Sequence, residues 1–259
     1  GITASLFNMV AGGQNLSIVA DKGREEKGYS SSAVLMRTDL WEGGAKKIED
    51  LKGKRVAITQ TGSTFHYMLG RLLETKGLKL SDVEIVPLGK LSAVMAALQG
   101  KQVDAAILNE PNITKMEKAG HGRVDVQVGD AMEYQTSAIF FAPDFMKNKE
   151  AAVRFLAAYI KATRYYYDAV LKMKDGKPAP GANYEEVVGI VAKYTGAPAD
   201  DIKTGLPYMD RDGKLLATDI QTQLDWYFNH KMIEKQLKSS QVVDTKLWEE
   251  ALKKVGAGQ

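Results

Sequence analysis

An α/β fold of two lobes is what this sequence predicts, on three observations. Residues 52–108 repeat strand, helix, strand, helix, strand, with a glycine just past each helix. A further strand, YQTSAIFFAP (134–143), returns beyond that run, and everything after it is mainly helical. Strands joined by helices of this length pair in parallel through right-handed crossovers. A chain that leaves one α/β region, builds a second and comes back implies a hinge, with a cleft between two lobes. The expected division is 1–49 for the first part of lobe 1, 50–130 for lobe 2, and 131–259 for the second part of lobe 1 with the C-terminal helices.

Each element follows from local pattern. TASLFNMVAGG reads as a short helix stopped by Gly12 and Gly13, and NLSIVAD and SSSAVLMRTDL read as strands. Arg55–Thr59 is short, β-branched and apolar, a buried strand. Over 64–76 the apolar residues Phe65, Met68, Leu69, Leu72 and Leu73 recur at helical spacing, and Gly77 closes the helix. DVEIVPL (82–88) is the next strand, LSAVMAALQG the next helix, QVDAAIL (102–108) the third strand. Helices are expected at 149–172, with Val153, Leu156, Tyr159, Ile160 and Tyr167 on one side, and at 184–194, 218–235 and 244–255; DGKPAPGAN and DRDG are turns. The chain opens at the very start of a helix, with no strand before it to complete an α/β unit, so lobe 1 is expected to be N-terminally incomplete.

Composition narrows the function classes. The 259 residues are 44% hydrophobic, enough for real cores. The charge of +3, from 35 basic and 32 acidic residues without long like-charge runs, argues against nucleic acid as a partner. There is no cysteine, which removes disulfides, thiolate zinc sites and cysteine nucleophiles. The three histidines, His66, His121 and His230, share no metal-ligand spacing, and no Ser/His/Asp set has usable spacing. Neither a metal nor another cofactor is expected, and no catalytic residue.

The candidate site residues lie at helix starts and strand ends. Thr61-Gly62-Ser63-Thr64 stands between a strand and a helix, where free N–H groups and the helix dipole seat a small anion. The plain alternative is an N-cap, and the two roles coexist. Thr3 and Ala4 make a second helix start, with a frayed terminus as the alternative. Asn109-Glu110-Pro111 lies just past a parallel strand, the edge where such sheets place ligands; a solvated turn carboxylate is the equal alternative for Glu110. Tyr134, beside Gln135 on the returning strand, either stacks on a planar ligand or packs at the hinge. His66 is expected to face solvent or cap a neighbour.

The combination DLKGKRVAITQTGSTFHYMLGRLLETKGL, DVEIVPLGKLSAVMAALQGKQVDAAILNEP resembles the substrate-binding proteins of bacterial ABC importers, in the branch serving nitrate, sulfonate, taurine and thiamine-pyrimidine uptake. The resemblance is specific over 50–111 and one of layout elsewhere. It implies the two-lobe periplasmic-binding-protein type II (Venus flytrap) fold, with ligand contact from the turn Thr61 to Thr64 and the second lobe closed by the segment Gly100 to Pro111. Gly1–Ala4 would be the family's turn at a helix N-terminus, and further βα units would stand upstream, with the export signal or lipoprotein cysteine. The implied function is capture of a small organic anion and delivery to a membrane permease, by a monomer in the periplasm or lipid-anchored outside the cell. A thiamine-pyrimidine-like heterocycle is the alternative ligand. A sensor domain is a third possibility, and a pyrimidine-synthase-like enzyme is disfavoured because that relative relies on cysteines.

Overall fold

The computed structural model describes residues 1–256. Along the chain run α1 (Ala4–Ala11), β1 (Ser17–Glu25), β2 (Ser32–Arg37), α2 (Thr38–Glu42), β3 (Arg55–Ile58), α3 (Thr64–Glu74), β4 (Glu84–Pro87), α4 (Leu91–Gln99), β5 (Ala105–Asn109), α5 (Asn112–Lys118), β6 (Gly122–Gln127), α6 (Val128–Ala131), β7 (Tyr134–Phe141), α7 (Pro143–Lys147), α8 (Lys149–Val170), α9 (Tyr184–Thr195), α10 (Ala199–Thr204), α11 (Ala217–Asn229) and α12 (Lys246–Val255). They form two compact units. The first comprises Gly1–Arg24, Tyr134–Ala199 and Tyr208–Gln259, and the second Glu25–Glu133 with Asp200–Pro207.

The second unit is built on a five-stranded sheet in the order β4-β3-β5-β2-β6. β3 pairs in parallel with β4 and with β5, as the βαβαβ rhythm predicts. β2 is antiparallel to both β5 and β6. Alternate residues face opposite sides. Ala33, Leu35, Ala57, Ala106 and Leu108 pack with Val94 and Leu98 of α4 and Ile113 and Met116 of α5. The other parity, Val56, Ile58, Ala105 and Ile107, is equally buried and faces α3, because successive right-handed crossovers in opposite directions place α3 and α4 on opposite faces.

Four expectations change here. Residues 25–49 belong to the second unit, because β2 has its only strand partners, among the described residues, in that sheet. The crossing expected near Glu49 therefore falls at Arg24–Glu25, and the return expected near Asp130 falls at Glu133–Tyr134. The run 30–40 is strand only to Arg37, after which Thr38–Glu42 is helical. Residues 102–104 precede β5 rather than belonging to it; there the Asp104 carboxylate accepts the Arg55 N–H at 2.9 Å and pairs with the Arg55 and Arg37 guanidinium groups. Asp200–Pro207 joins this unit through an ion pair between Lys115 and Asp201 at 2.6 Å and through Gly205, where a Cβ would come 3.0 Å from that of Glu110.

The first unit holds a two-stranded sheet, β1 with β7. Val19, Ala20 and Phe141 pack with Val153, Leu156 and Ile160 of α8 and Leu247, Trp248 and Ala251 of α12. On α1, Phe7 meets Tyr227 of α11 edge to face. Three of the five side chains expected on the inner stripe of α8 are buried, and Tyr159 instead donates its hydroxyl to Asp21 O at 2.6 Å. α11 stops at Asn229 rather than at 235, since Lys231 takes a left-handed φ of 58° and Met232 N–H turns back to Tyr227 O. Among the described residues no helix is long and apolar enough to cross a membrane.

One group in the second unit is out of electrostatic balance. Asp125 bulges from β6 between Val124 and Val126, and its Oδ2 is buried without a hydrogen-bond partner. Burial, then the nearby Asp50 and Glu49, push its carboxyl from the usual 3.8 up to about 6. A raised carboxyl stabilises the fold in its neutral form, fully below pH 3.8, and that contribution disappears as pH rises through about 6. Asp125→Asn should therefore stabilise the protein by about 1 kcal/mol at pH 7.5, after allowance for solvent screening, and by almost nothing at pH 4. Urea denaturation at the two pH values checks this; equal effects at both would contradict the raised pKa.

Candidate functional site

The C-terminal ends of β3, β4 and β5 lie on one edge of the second unit's sheet, with the start of β2 and the end of β6 beside them. This is where parallel strands hand the chain to helices. β3 leads into the turn 59–63, and α3 begins at Thr64. Gly62 sits at φ 74°, a conformation open to glycine at little cost. Its N–H donates to Nδ1 of His66 at 3.0 Å, which makes the ring an acceptor on that side. Ser63 is the N-cap, its hydroxyl accepting the His66 N–H at 3.3 Å. Ser63 N–H itself donates to Gln60 O at 3.2 Å.

This accounting leaves two donors. The N–H groups of Thr64 and Phe65 make no hydrogen bond within the described protein, and they stand at the positive end of an 11-residue helix. Thr61 is exposed, Ser63 and Thr64 are half-buried. The turn therefore both caps the helix and keeps donors available. His66 is buried and caps the turn from within, one of its two expected placements. Tyr67 is buried as well, and its hydroxyl accepts from Arg71 at 2.9 Å.

At the next loop along the edge, Asn109 ends β5 and its Oδ1 is buried without a hydrogen-bond partner. Glu110 does not reach outward as a free acceptor. Its carboxylate accepts Thr114 N–H and Thr114 Oγ1–H, both at 3.0 Å, and so caps the start of α5. The turn-carboxylate alternative thus describes its protein contacts. The Glu110–Pro111 peptide is cis.

The structure brings Thr61, Gly62, Ser63, Thr64, Asn109 and Glu110 to one sheet edge, and places Thr3, Ala4 and Tyr134 in the other unit. Thr3 is the N-cap of α1, accepting Leu6 N–H at 3.4 Å, and Ala4 is buried. Tyr134 is fully buried at the start of β7, so no face of its ring is open to stack on a ligand; it packs, as the alternative had it. Gln135 beside it is buried too. Among the described residues no group of three or more His, Asp or Glu side chains could hold a metal ion.

Sequence reasoning missed two parts of this edge. One is the loop after β4, where Leu88 and Gly89 donate to Ile58 O at 3.0 Å and Thr59 O at 2.7 Å and so fix the path of the turn that follows β3. The other is Glu25, buried, accepting Ser30 Oγ–H at 2.7 Å, Ser31 N–H at 3.0 Å and Ser31 Oγ–H at 2.9 Å. Ser30 Oγ accepts Gly129 N–H at 2.9 Å, and a Cβ on Gly129 would come 2.5 Å from Glu26 O, so only glycine fits. The triple serine preceding β2 was the available signal.

Comparison with known proteins follows the geometry. The sequence model of the family described as NMT1/THI5 like matches residues 31–169. No curated protein matches the chain. Among solved structures, the periplasmic aliphatic sulphonate binding protein SsuA from Escherichia coli is similar at 24% identity and a TM-score of 0.69, over 95% of this chain and 78% of that one. The periplasmic nitrate-binding protein NrtA from Synechocystis PCC 6803 is similar at 15% identity and 0.68, over 98% and 73%. The desulfurization enzyme DSZB is similar at 13% identity and 0.67, over 97% and 83%. At these identities the likeness establishes the fold, that of the periplasmic binding proteins, and no more.

The role of His66 is directly testable. His66→Ala removes the acceptor of a buried N–H and should cost about 1–3 kcal/mol in urea denaturation. An unchanged midpoint would mean that the Gly62 contact does not hold the turn.

Proposed function

The chain belongs to the NMT1/THI5-like family, and from that premise we propose that it is the solute-binding component of an ABC-type importer. It captures a small organic anion, a sulfonate or carboxylate, and delivers it to a membrane permease. It acts as a monomer in the periplasm, or tethered by lipid outside the cell. The observation that carries this reading is the pair of free N–H groups, Thr64 and Phe65, at the start of α3 on the edge where the parallel strands end. Fixed backbone donors at a helix N-terminus bind anions without the entropy cost of ordering a long side chain. Thr61, Gly62, Ser63 and Thr64 form the anion seat, with Asn109 and Glu110 at the next loop along the same sheet edge. Binding biases a conformational equilibrium, and no bond is broken.

Similarity to sulfonate- and nitrate-binding proteins supports binding over catalysis. The fold is also used by an enzyme, DSZB. Here the Ser63 hydroxyl caps α3 and the Glu110 carboxylate is paired with Thr114, roles that suit a binding edge.

A thermal-shift panel of aliphatic sulfonates, nitrate, aromatic carboxylates and thiamine pyrimidines tests the reading. A bound solute at about 100 times its Kd stabilises by about 2.7 kcal/mol, a clear shift. The site is tested by Thr64→Pro. Proline is favoured at the first helical position, and Ser63, at φ −73° and ψ 169°, already has the conformation that precedes proline, so the helix should persist while one donor is lost. The expected result is about a tenfold loss of affinity with an unchanged melting temperature. Unchanged affinity would reduce the turn to a cap.

A further inference from the structure

The outer face of α8, in the first unit, is apolar where a surface helix is ordinarily polar. The helix buries Ala152, Val153, Leu156, Ile160 and Thr163 on its inner side. At about 100° per residue, the opposite side carries Ala151, Phe155, Ala158, Ala162 and Tyr165. Their spacing of four, three, four and three residues is that of the contact seam between two packed helices.

A groove of about 690 Å³ lies along the first half of this face. Ala151 and Ala158 form its floor. One wall is aromatic: Phe155 stands 6.3 Å, centre to centre, from Phe145 of α7, and the two rings remain 46% and 37% exposed. Behind them the buried Phe141 meets both rings edge to face, and Tyr159 stacks on Phe155, so the wall is fixed in place. The helical angle puts the other wall on the opposite flank of the floor, and it is cationic, formed by Arg154 and Lys161 about two turns apart. Arg154 meets Glu150 at 3.8 Å between largely exposed side chains, a contact worth little, and Lys161 makes no ion pair among the described residues.

Shape and charge together choose the occupant. A low alanine floor beside an aromatic wall admits the ridge of another helix, whereas a membrane surface is met by apolar groups that project. Cations flanking such a seam call for acidic residues on the flank of the partner. A second copy of α8 would bring its own Arg154 and Lys161 to the same groove and is disfavoured by like charge. We propose that this face of α8 is a docking surface for an amphipathic helix of a partner protein, with Glu or Asp side chains bordering its apolar stripe. The apolar stripe seats on Ala151 and Ala158 against Phe145 and Phe155, and the carboxylates pair with Arg154 and Lys161.

Fluorescence anisotropy with two stapled, labelled peptides of about three heptads tests this, one with Leu along its stripe and Glu on the flanks, the other its twin with Lys in place of Glu. The full chain is expected to bind the Glu peptide at least about tenfold more tightly than the Lys peptide. Ala158→Glu, at an exposed floor position, should weaken the Glu peptide about tenfold, and Lys161→Glu should shift preference toward the Lys peptide. Equal binding of the two peptides, binding of neither, or a preference that survives Lys161→Glu overturns the proposal. So does sedimentation with phosphatidylglycerol vesicles that is lost in Lys161→Glu when no peptide binds, which would make the face a membrane contact. A concentration-dependent dimer that Ala158→Glu dissolves would assign the face to a second copy and overturns it equally. The face lies in the first unit and Thr64 in the second, so both variants should keep the solute response of the thermal-shift panel. Silence of that panel with intact peptide binding would remove the solute-binding reading alone.

Discussion

The parallel pairing of β3 with both β4 and β5 is the constraint on which the second unit depends. Parallel neighbours cannot be joined by a tight turn, so each connection must cross a face of the sheet, and right-handedness decides which face. β3 to β4 and β4 to β5 run in opposite directions across the sheet, so α3 and α4 cover opposite faces. All three strand ends, and hence the start of α3, are then forced to one edge. The antiparallel β2 and β6 complete that edge with the start of one strand and the end of the other. Position of the donors is thus a consequence of topology; their freedom is a consequence of Gly62, His66 and Ser63, which consume the neighbouring donors and acceptors internally.

In the first unit a buried carboxylate has the organising part. Asp21 Oδ1 accepts from Gly23 N–H and from the Gln135 side chain, and Oδ2 accepts from Asp210 N–H at 2.7 Å. Burial raises its pKa, and the bonds from Asp210, Gln135 and Gly23 pull it back. Gln135 spends its remaining capacity on Gly23 O, Ser137 O and Leu216 N–H. The turn DRDG is fastened to β1 from the other side by Asp21 N–H to Gly213 O at 2.9 Å. It is held again by Trp248 to Asp212 O and by the Arg164–Asp212 ion pair at 2.7 Å. A buried charge of this kind stabilises only while every partner is present, so it defines one arrangement of β1, β7 and the turn.

What the sequence disclosed follows from the range of the interactions involved. The helix over 64–76, the strand 55–59 and the glycine turn between them are encoded by neighbours in the chain, and they stand almost as read. The two-face burial of the sheet is legible as runs such as AAIL in β5. The placement of β2 is not legible, because Ala33 to Met36 carry an apolar run that suits either unit, and only pairing with β5 and β6 decides. The same holds for the short α2 and for the end of α11 at a left-handed lysine, a position for which sequence gives no glycine signal. At the site, Ser63 as N-cap was readable from residue type. That Glu110 spends both oxygens on Thr114, that Tyr134 is fully buried, and that His66 closes the turn from inside are facts of packing that no spacing rule contains.

The mixture of satisfied and unsatisfied groups at the edge is what the proposed binding site, unlike a mere junction, would need. A junction evolves toward complete pairing, since each orphaned buried group lowers stability. Here Glu25, Ser30, Ser31, Gly129, Glu110 and Thr114 are paired among themselves, while Thr64 N–H, Phe65 N–H, Asn109 Oδ1 and Gln127 Oε1 make no hydrogen bond within the described protein. The paired groups fix the loops, and the leftover groups are held in place by those loops instead of by each other. In the proposed site such preorganisation would let a solute meet donors already oriented, so that the free energy of each contact would go into affinity rather than into ordering the protein. Glu110 Oε2 and His66 Nδ1 each accept a main-chain N–H, from Thr114 and Gly62, and these bonds fix the two loops of the edge.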